Sequence, residues 1–440
     1  MIRFLRKLWK DRGGNVLIIM GAALPLIVGA AGLATDTVQW TLTKRELQRA
    51  ADSAALAGVF GRLAGQTVST GDCSLSNAIT RDESNGFVSG KIGTTTCSAT
   101  VDGWGTSTNK SVAVSISNTQ ALPFSSIFLK TPPTITATAT AAYVLYGKYC
   151  MVSLDNNVET GIQFSGNPTV NLGCGMKTNA KGSAALACGG NAKITATPVA
   201  AVGQITPCDN FGTGTTFQSY SPPQADPFAS VNAPSVPNPC NKDVFPNGTK
   251  TTNVSVTGST TGWANNTPTT VCYTDFTVGT GQTFTGSDLL VIINSTKNNS
   301  GNLNIQGSVT CLRCVFVLTS NSSSNPPPIG NVSMNASAAL DITAPTTGTY
   351  ANIAIYQDRR ASTCNNFCDS INGSSTSLLQ GAVYLPNQNV QVNGNSGFNT
   401  NCLQVVAWQL QFNGNATVSN TCSDGSTGNT FNGYMVRLVA

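Results

Sequence analysis

Residues 403–420 read LQVVAWQLQFNGNATVSN. Short runs rich in β-branched and apolar residues flank Asn413-Gly414-Asn415, whose backbones tolerate the left-handed conformation that a tight corner needs. The same grammar recurs as IQFSGNPTVNLGCG (162–175), LACGGNAKITATPVAAVG (186–203), GNLNIQGSVTC (301–311), IGNVSMNASAALDITAP (329–345) and LQGAVYLPNQNVQVNGNSG (379–397). The irregular spacing is in the range of one coil per about twenty residues, which predicts a right-handed parallel β-helix. In such a coil alternate apolar side chains stack inward and asparagines ladder at the corners. A jelly roll or sandwich would present similar strands.

Composition bounds the chemistry. The chain has 440 residues, of which 10% are charged, against about a quarter in an ordinary soluble protein. Gly, Asn, Ser and Thr fill the gap, while recurrent Val, Ile and Thr argue against disorder. Histidine is absent, which excludes a Ser-His-Asp triad, a Cys-His pair and a Gly-His-Gly motif. The acids of the β-rich region stand singly. Asp341, Asp358 and Asp369 would converge only if neighbouring coils stacked them, and solvated turns are their simpler placement. No phosphate loop or dinucleotide fingerprint occurs, so we expect neither an enzyme nor a cofactor. The net charge of +5 includes +4 from the first fourteen residues. The remainder carries no basic stripe, which disfavours nucleic acid.

Two proline-rich stretches interrupt the pattern, SYSPPQADPFASVNAPSVPNPC (219–240) and SSSNPPPIG (322–330). Proline denies backbone donors, so these should cross the surface outside regular pairing. Asp358-Arg359-Arg360 is the densest distal charge cluster, read either as partner recognition or as a strand-end salt bridge. Fourteen cysteines are present, none before Cys73. With no histidine, a zinc site would need an all-cysteine shell such as Cys311-x-x-Cys314 with Cys364-x-x-x-Cys368, and we expect disulfides and no metal. Plausible local pairs are Cys73–Cys97, Cys174–Cys188, Cys208–Cys240 and Cys402–Cys422, although sequence alone does not assign connectivity.

The oxidising compartment follows from the N-terminus. Residues 15–34, NVLIIMGAALPLIVGAAGLA, carry no charge and follow a leader (1–14) containing Arg3, Arg6, Lys7, Lys10 and Arg12. Twenty residues at 1.5 Å each span roughly 30 Å, the thickness of a bilayer's hydrocarbon core. The basic leader should stay in the cytoplasm as the topology signal, leaving the bulk of the chain exported. A cleaved secretory signal is the competing reading. Residues 35–65 continue the helical pattern, with Leu47, Ala50, Ala51, Ala54 and Leu56 on a shallow face. That face either covers its own domain or serves as an assembly surface. A small α+β unit follows (66–147), with a short helix ending near Asn85-Gly86 and strands around 92–101, 111–117 and 134–146. The β-rich exported domain occupies 148–440.

The stretch DRGGNVLIIMGAALPLIVGAAGLATDTVQWTLTKRELQRAADSAALAG resembles the N-terminal region of the TadE/TadG-like family of Flp (Tad) pilus-assembly proteins. Arg12-Gly13-Gly14-Asn15, Pro25 within the span, Asp36 beyond it, and the Leu47–Ala57 helix carry the likeness, with order and spacing both kept. Two family features have no counterpart: Ile19 stands where prepilin-like substrates carry Glu, and Ser153-Leu154-Asp155-Asn156-Asn157 does not make a D-x-S-x-S metal site. The resemblance implies a single-pass inner-membrane protein in a bacterial envelope, working with pilus-assembly machinery. The alternative is an anchored adhesin or polysaccharide-binding β-helix that meets a surface glycan.

Overall fold

The computed structural model describes residues 15–66, 94–102, 110–157, 160–206, 209–246, 251–372, 377–393, 397–400, 402–420 and 430–439. The basic leader, the expected short helix near residues 73–86, Cys73, Cys208 and Cys422 lie outside them. The chain divides into two units, residues 1–144 with 435–440, and residues 145–434.

In the first unit, helix α1 (Asn15–Leu63) is continuous for 49 residues. Strands β1 (Thr94–Asp102), β2 (Lys110–Thr119) and β3 (Thr134–Ser153) form an antiparallel sheet. Alternation with a period of two gives this sheet one apolar face, carrying Ala99, Val112, Val114, Ile116, Ile135, Ala137, Ala139 and Ala141. Against it lie Leu47, Ala51, Ala54, Ala55 and Val59 of α1, all fully buried. Alanine on both surfaces lets helix and sheet approach closely. Gln48 Nε2 donates to the Thr138 carbonyl at 2.9 Å, and Gln120 Nε2 to Thr43 Oγ1 at 3.0 Å.

The second unit is a parallel β-helix-like stack with three faces. One inward column shows its construction: Val271, Val291, Phe316, Ile355, Val383, Val405, Met151, Met176, Val199 and Phe217 are successive register partners. The order breaks between Val405 and Met151. The chain therefore enters the stack in its middle, winds to one end by residue 218, and resumes at the opposite end. It then winds back until 403–420 pairs in parallel with 151–153, 162–164 and 169–171. Nine coil steps of about 4.8 Å separate the two ends, roughly 43 Å. The 22 residues of the 219–240 crossing reach up to about 65 Å in extended polyproline form, so the return fits.

The crossing lies on the outward side of one face. Strands Leu289–Asn294, Val315–Thr319 and Ile353–Gln357 are consequently buried along their whole length. Burial on both sides is why they read as unbroken apolar runs. Phe228, Val231, Ala233 and Val236 of the crossing pack on Tyr356, Tyr384 and neighbouring outward side chains. Elsewhere the strands alternate, as in Thr283–Ser287 and Ser308–Leu312, where Thr285 and Thr310 face outward beside buried Phe284 and Val309. Corner asparagines do form a ladder: Asn191 Nδ2 donates to Asn167 Oδ1 at 3.3 Å, and Asn167 Nδ2 to Asn415 Oδ1 at 3.4 Å.

The disulfides correct two expected pairings. Cys174 bonds Cys150 rather than Cys188, and Cys240 bonds Cys272 rather than Cys208. A separation of 24 residues brings Cys150 and Cys174 to stacked positions in adjacent coils, with Cα atoms 6.0 Å apart. Residues 174 and 188 lie within one coil, and nearness in sequence is not nearness across a coil. Cys240 instead ties the end of the crossing to the coil on which it lands. Cys311–Cys314 and Cys364–Cys368 are also disulfides, so neither pair is a zinc half-site. Cys97, Cys188 and Cys402 are disulfide-bonded as well.

Candidate functional site

Helix α1 is built in two halves with opposite surfaces. From Ile19 to Leu42 its large apolar side chains are exposed, with Leu26 at 76% and Ile27 at 63%. From Leu47 onward its apolar face is covered by the sheet of its own unit. Of the residues singled out for assembly, Leu47, Ala51 and Ala54 are buried, and Ala50 and Leu56 pack half-buried on the same cluster. The Ala-rich face therefore covers its own domain. Arg45, Glu46 and Arg49 are exposed on the helix.

Asp36 lies two residues past the uncharged span and is 5% exposed. Its Oδ1 accepts the Phe124 amide at 2.9 Å, and its Oδ2 accepts from the amide and hydroxyl of Ser125. These bonds cap the short 3-10 helix Ser125–Ile127 in the β2–β3 connection. One turn earlier, a side chain at Gly32 would collide with the Phe124 ring. Gly32 and Asp36, at i and i+4, thus hold one loop by contact and by charge. Sequence reasoning noticed Asp36 only as part of a family pattern, because its partner lies 88 residues away.

The distal charge cluster is structural. Burial works against the Asp358 charge, yet Arg360 and the Thr319 hydroxyl hold its carboxyl below the usual range. Arg360 Nη2 reaches Asp358 Oδ2 at 2.7 Å and the Ser320 carbonyl at 2.9 Å. Arg359 turns to the crossing, where it meets Asp226 at 3.1 Å and the carbonyls of Val231 and Phe228. Tyr384 completes the group, donating to Asp226 at 2.7 Å. The arginines thus close a coil and fasten the crossing.

Asp341, Asp358 and Asp369 occupy different places. Asp341 is half-buried on the Ala339–Thr343 strand, whereas Asp369 is fully buried between Val332 and Val390. Burial pushes the Asp369 carboxyl up to about 7, against one amide bond from Val332, and its Oδ2 has no partner among the described residues. It is not on a solvated turn. Nearby opens a cleft of about 1080 Å³, whose described lining includes Asn298, Asn302, Asn331, Thr363 and Gln388 and contains no charged or aromatic residue. Gln388 Nε2 donates to the Ser362 carbonyl at 3.1 Å while its Oε1 has no partner among the described residues. Such a lining can hydrogen-bond a neutral polyhydroxyl surface. Trp263 is buried and donates to the Arg313 carbonyl at 2.8 Å, and Trp408 is half-buried.

No curated protein sequence matches the chain significantly. A solved structure of an ice-binding protein from an Antarctic biological consortium is similar over 62% of this chain and 87% of that one, at 10% identity and a TM-score of 0.22, too slight a likeness to bear on fold or function. The N-terminal helix is a different matter: residues 14–64, the exposed apolar half together with the half that packs on the sheet, match the Tad family model, Flp pilus-assembly TadE/G-like.

Proposed function

We propose that this chain is a single-span envelope protein, leader inside and bulk exported, that takes a structural or assembly role in Flp/Tad-type pilus biogenesis. The observation that carries the reading is α1, whose first twenty residues are uncharged, whose large apolar side chains from Ile19 to Leu33 are exposed, and whose whole length falls in the TadE/G-like match. The inner membrane of a bacterial envelope is the compartment this implies, and disulfides fit its oxidising side. The β-helix would be a rigid display surface or spacer rather than a catalyst, since its densest charge cluster, Asp358-Arg359-Arg360, is used to close a coil and fasten the crossing. Deleting the protein should abolish surface pili, with the full chain restoring them. Unchanged piliation would refute the role. Alkaline phosphatase fused after Ala440 should be active, and an inactive reporter would refute the topology.

The uncharged, amide-lined cleft favours a second reading, an anchored adhesin that binds a neutral glycan. Glycan-array binding by the full protein, with normal piliation in its absence, would select this reading over the first.

A further inference from the structure

We propose that residues 122–130 form a wedge that inserts into the bilayer at the foot of the anchor, on the side where the rest of the chain lies. The proposal rests on the reading of residues 15–34 as a membrane span.

Four observations within the first unit carry it. Ile127, Phe128 and Leu129 are consecutive and exposed at 72%, 72% and 51%. An exposed apolar triplet in a loop marks a surface that meets something apolar. Its height along α1 is set by the contacts at Gly32 and Asp36. Counted from Asn15 at 1.5 Å per residue these lie about 26 and 32 Å along the helix, at the far boundary of a hydrocarbon core about 30 Å thick.

Backbone chemistry suits that depth. The amides of Phe124 and Ser125 are bonded to Asp36, and those of Ser126, Ile127, Phe128 and Leu129 to the carbonyls of Leu122, Phe124 and Ser125. No N–H from 124 to 129 would enter lipid unpaired, which meets the donor half of the condition for irregular backbone at a membrane and suits a boundary depth where carbonyls reach headgroup water. Charge is also arranged for it. Asp36 is the only ionisable residue between Arg12 and Lys44, and the loop covers it. Trp40, 43% exposed, and Lys130 stand where aromatic and cationic side chains meet headgroups.

A bilayer is the occupant these features select over a protein partner, because the loop continues the exposed apolar surface of the span itself. Such a wedge would hold the sheet of its unit at a defined height and tilt above the membrane.

The test uses the full chain in lipid nanodiscs, with a polarity-sensitive fluorophore on one introduced cysteine. No free cysteine occurs among the described residues. Phe128→Cys, Val28→Cys and the exposed control Thr100→Cys replace solvent-facing side chains and spare the core. With brominated phospholipid, the label should shift to the blue and lose intensity at positions 28 and 128 and do neither at 100. Quenching at 28 with a water-like, unquenched label at 128 overturns the wedge and leaves the anchor standing. A water-like label at 28 overturns the anchor reading, and the wedge falls with it.

Discussion

Asp369→Asn separates a carboxyl that belongs to the fold from one that only decorates it. Register places Asp369 beside Val332 and Val390, positions that point into an apolar interior. The carboxyl titrates near 3.8 when the chain is unfolded and near 7 when folded. A raised value means that the folded state holds the proton more tightly, so the favourable contribution is complete below about pH 3.8 and is lost as pH rises through about 7. The interval, at about 1.36 kcal/mol per pH unit, bounds the effect at about 4 kcal/mol. Asparagine keeps an acceptor for the Val332 amide and cannot ionise. We expect the wild-type protein to lose about 2 to 4 kcal/mol relative to Asp369→Asn between pH 4 and pH 8. The assay is urea unfolding of the full chain in detergent with disulfides intact, followed by tryptophan fluorescence, comparing midpoints at each pH because stacked coils need not unfold in one step. Other titrating groups cancel in the comparison. Parallel midpoint–pH curves for the two proteins would refute the argument.

Lys177 is the converse case: burial lowers its ammonium to about 8, beneath the usual 10.5, and the side chain is 1% exposed. Lys177→Met should therefore raise thermal stability at pH 7, with the advantage shrinking as pH climbs from 8 to 10.5 and the wild-type lysine sheds its charge. Arg359→Ala should cost about 2 to 4 kcal/mol by leaving the half-buried Asp226 without its ion pair and removing one of the donors to each of the Phe228 and Val231 carbonyls, seen as faster proteolysis within residues 219–240. Gly32→Val should expel Phe124 from the helix surface, with faster hydrogen exchange at the amides of residues 124–129 and none at the β-helix.

The sequence by itself determined the elements and their chemistry. An uncharged run of bilayer length forces a long helix, and period-two alternation cut by Asn-Gly corners forces short strands that bury one side. Fourteen cysteines without a histidine favour disulfides over metal. These are local signals, legible because each rests on residues a few positions apart. Tertiary structure decided what depends on distant partners. Nothing in the text of 403–420 says that it closes onto 151–171, since every coil offers nearly the same edge and only the folded chain selects which edges meet. The crossing reads as a loop, yet Asp226 and Arg359, 133 residues apart, make it a strap. Likewise the Ala-rich half of α1 is equally suited to a partner or to its own sheet, and the alanines of β3 arriving opposite it settled the matter: small side chains on both surfaces allow a contact too close to leave room for anything else.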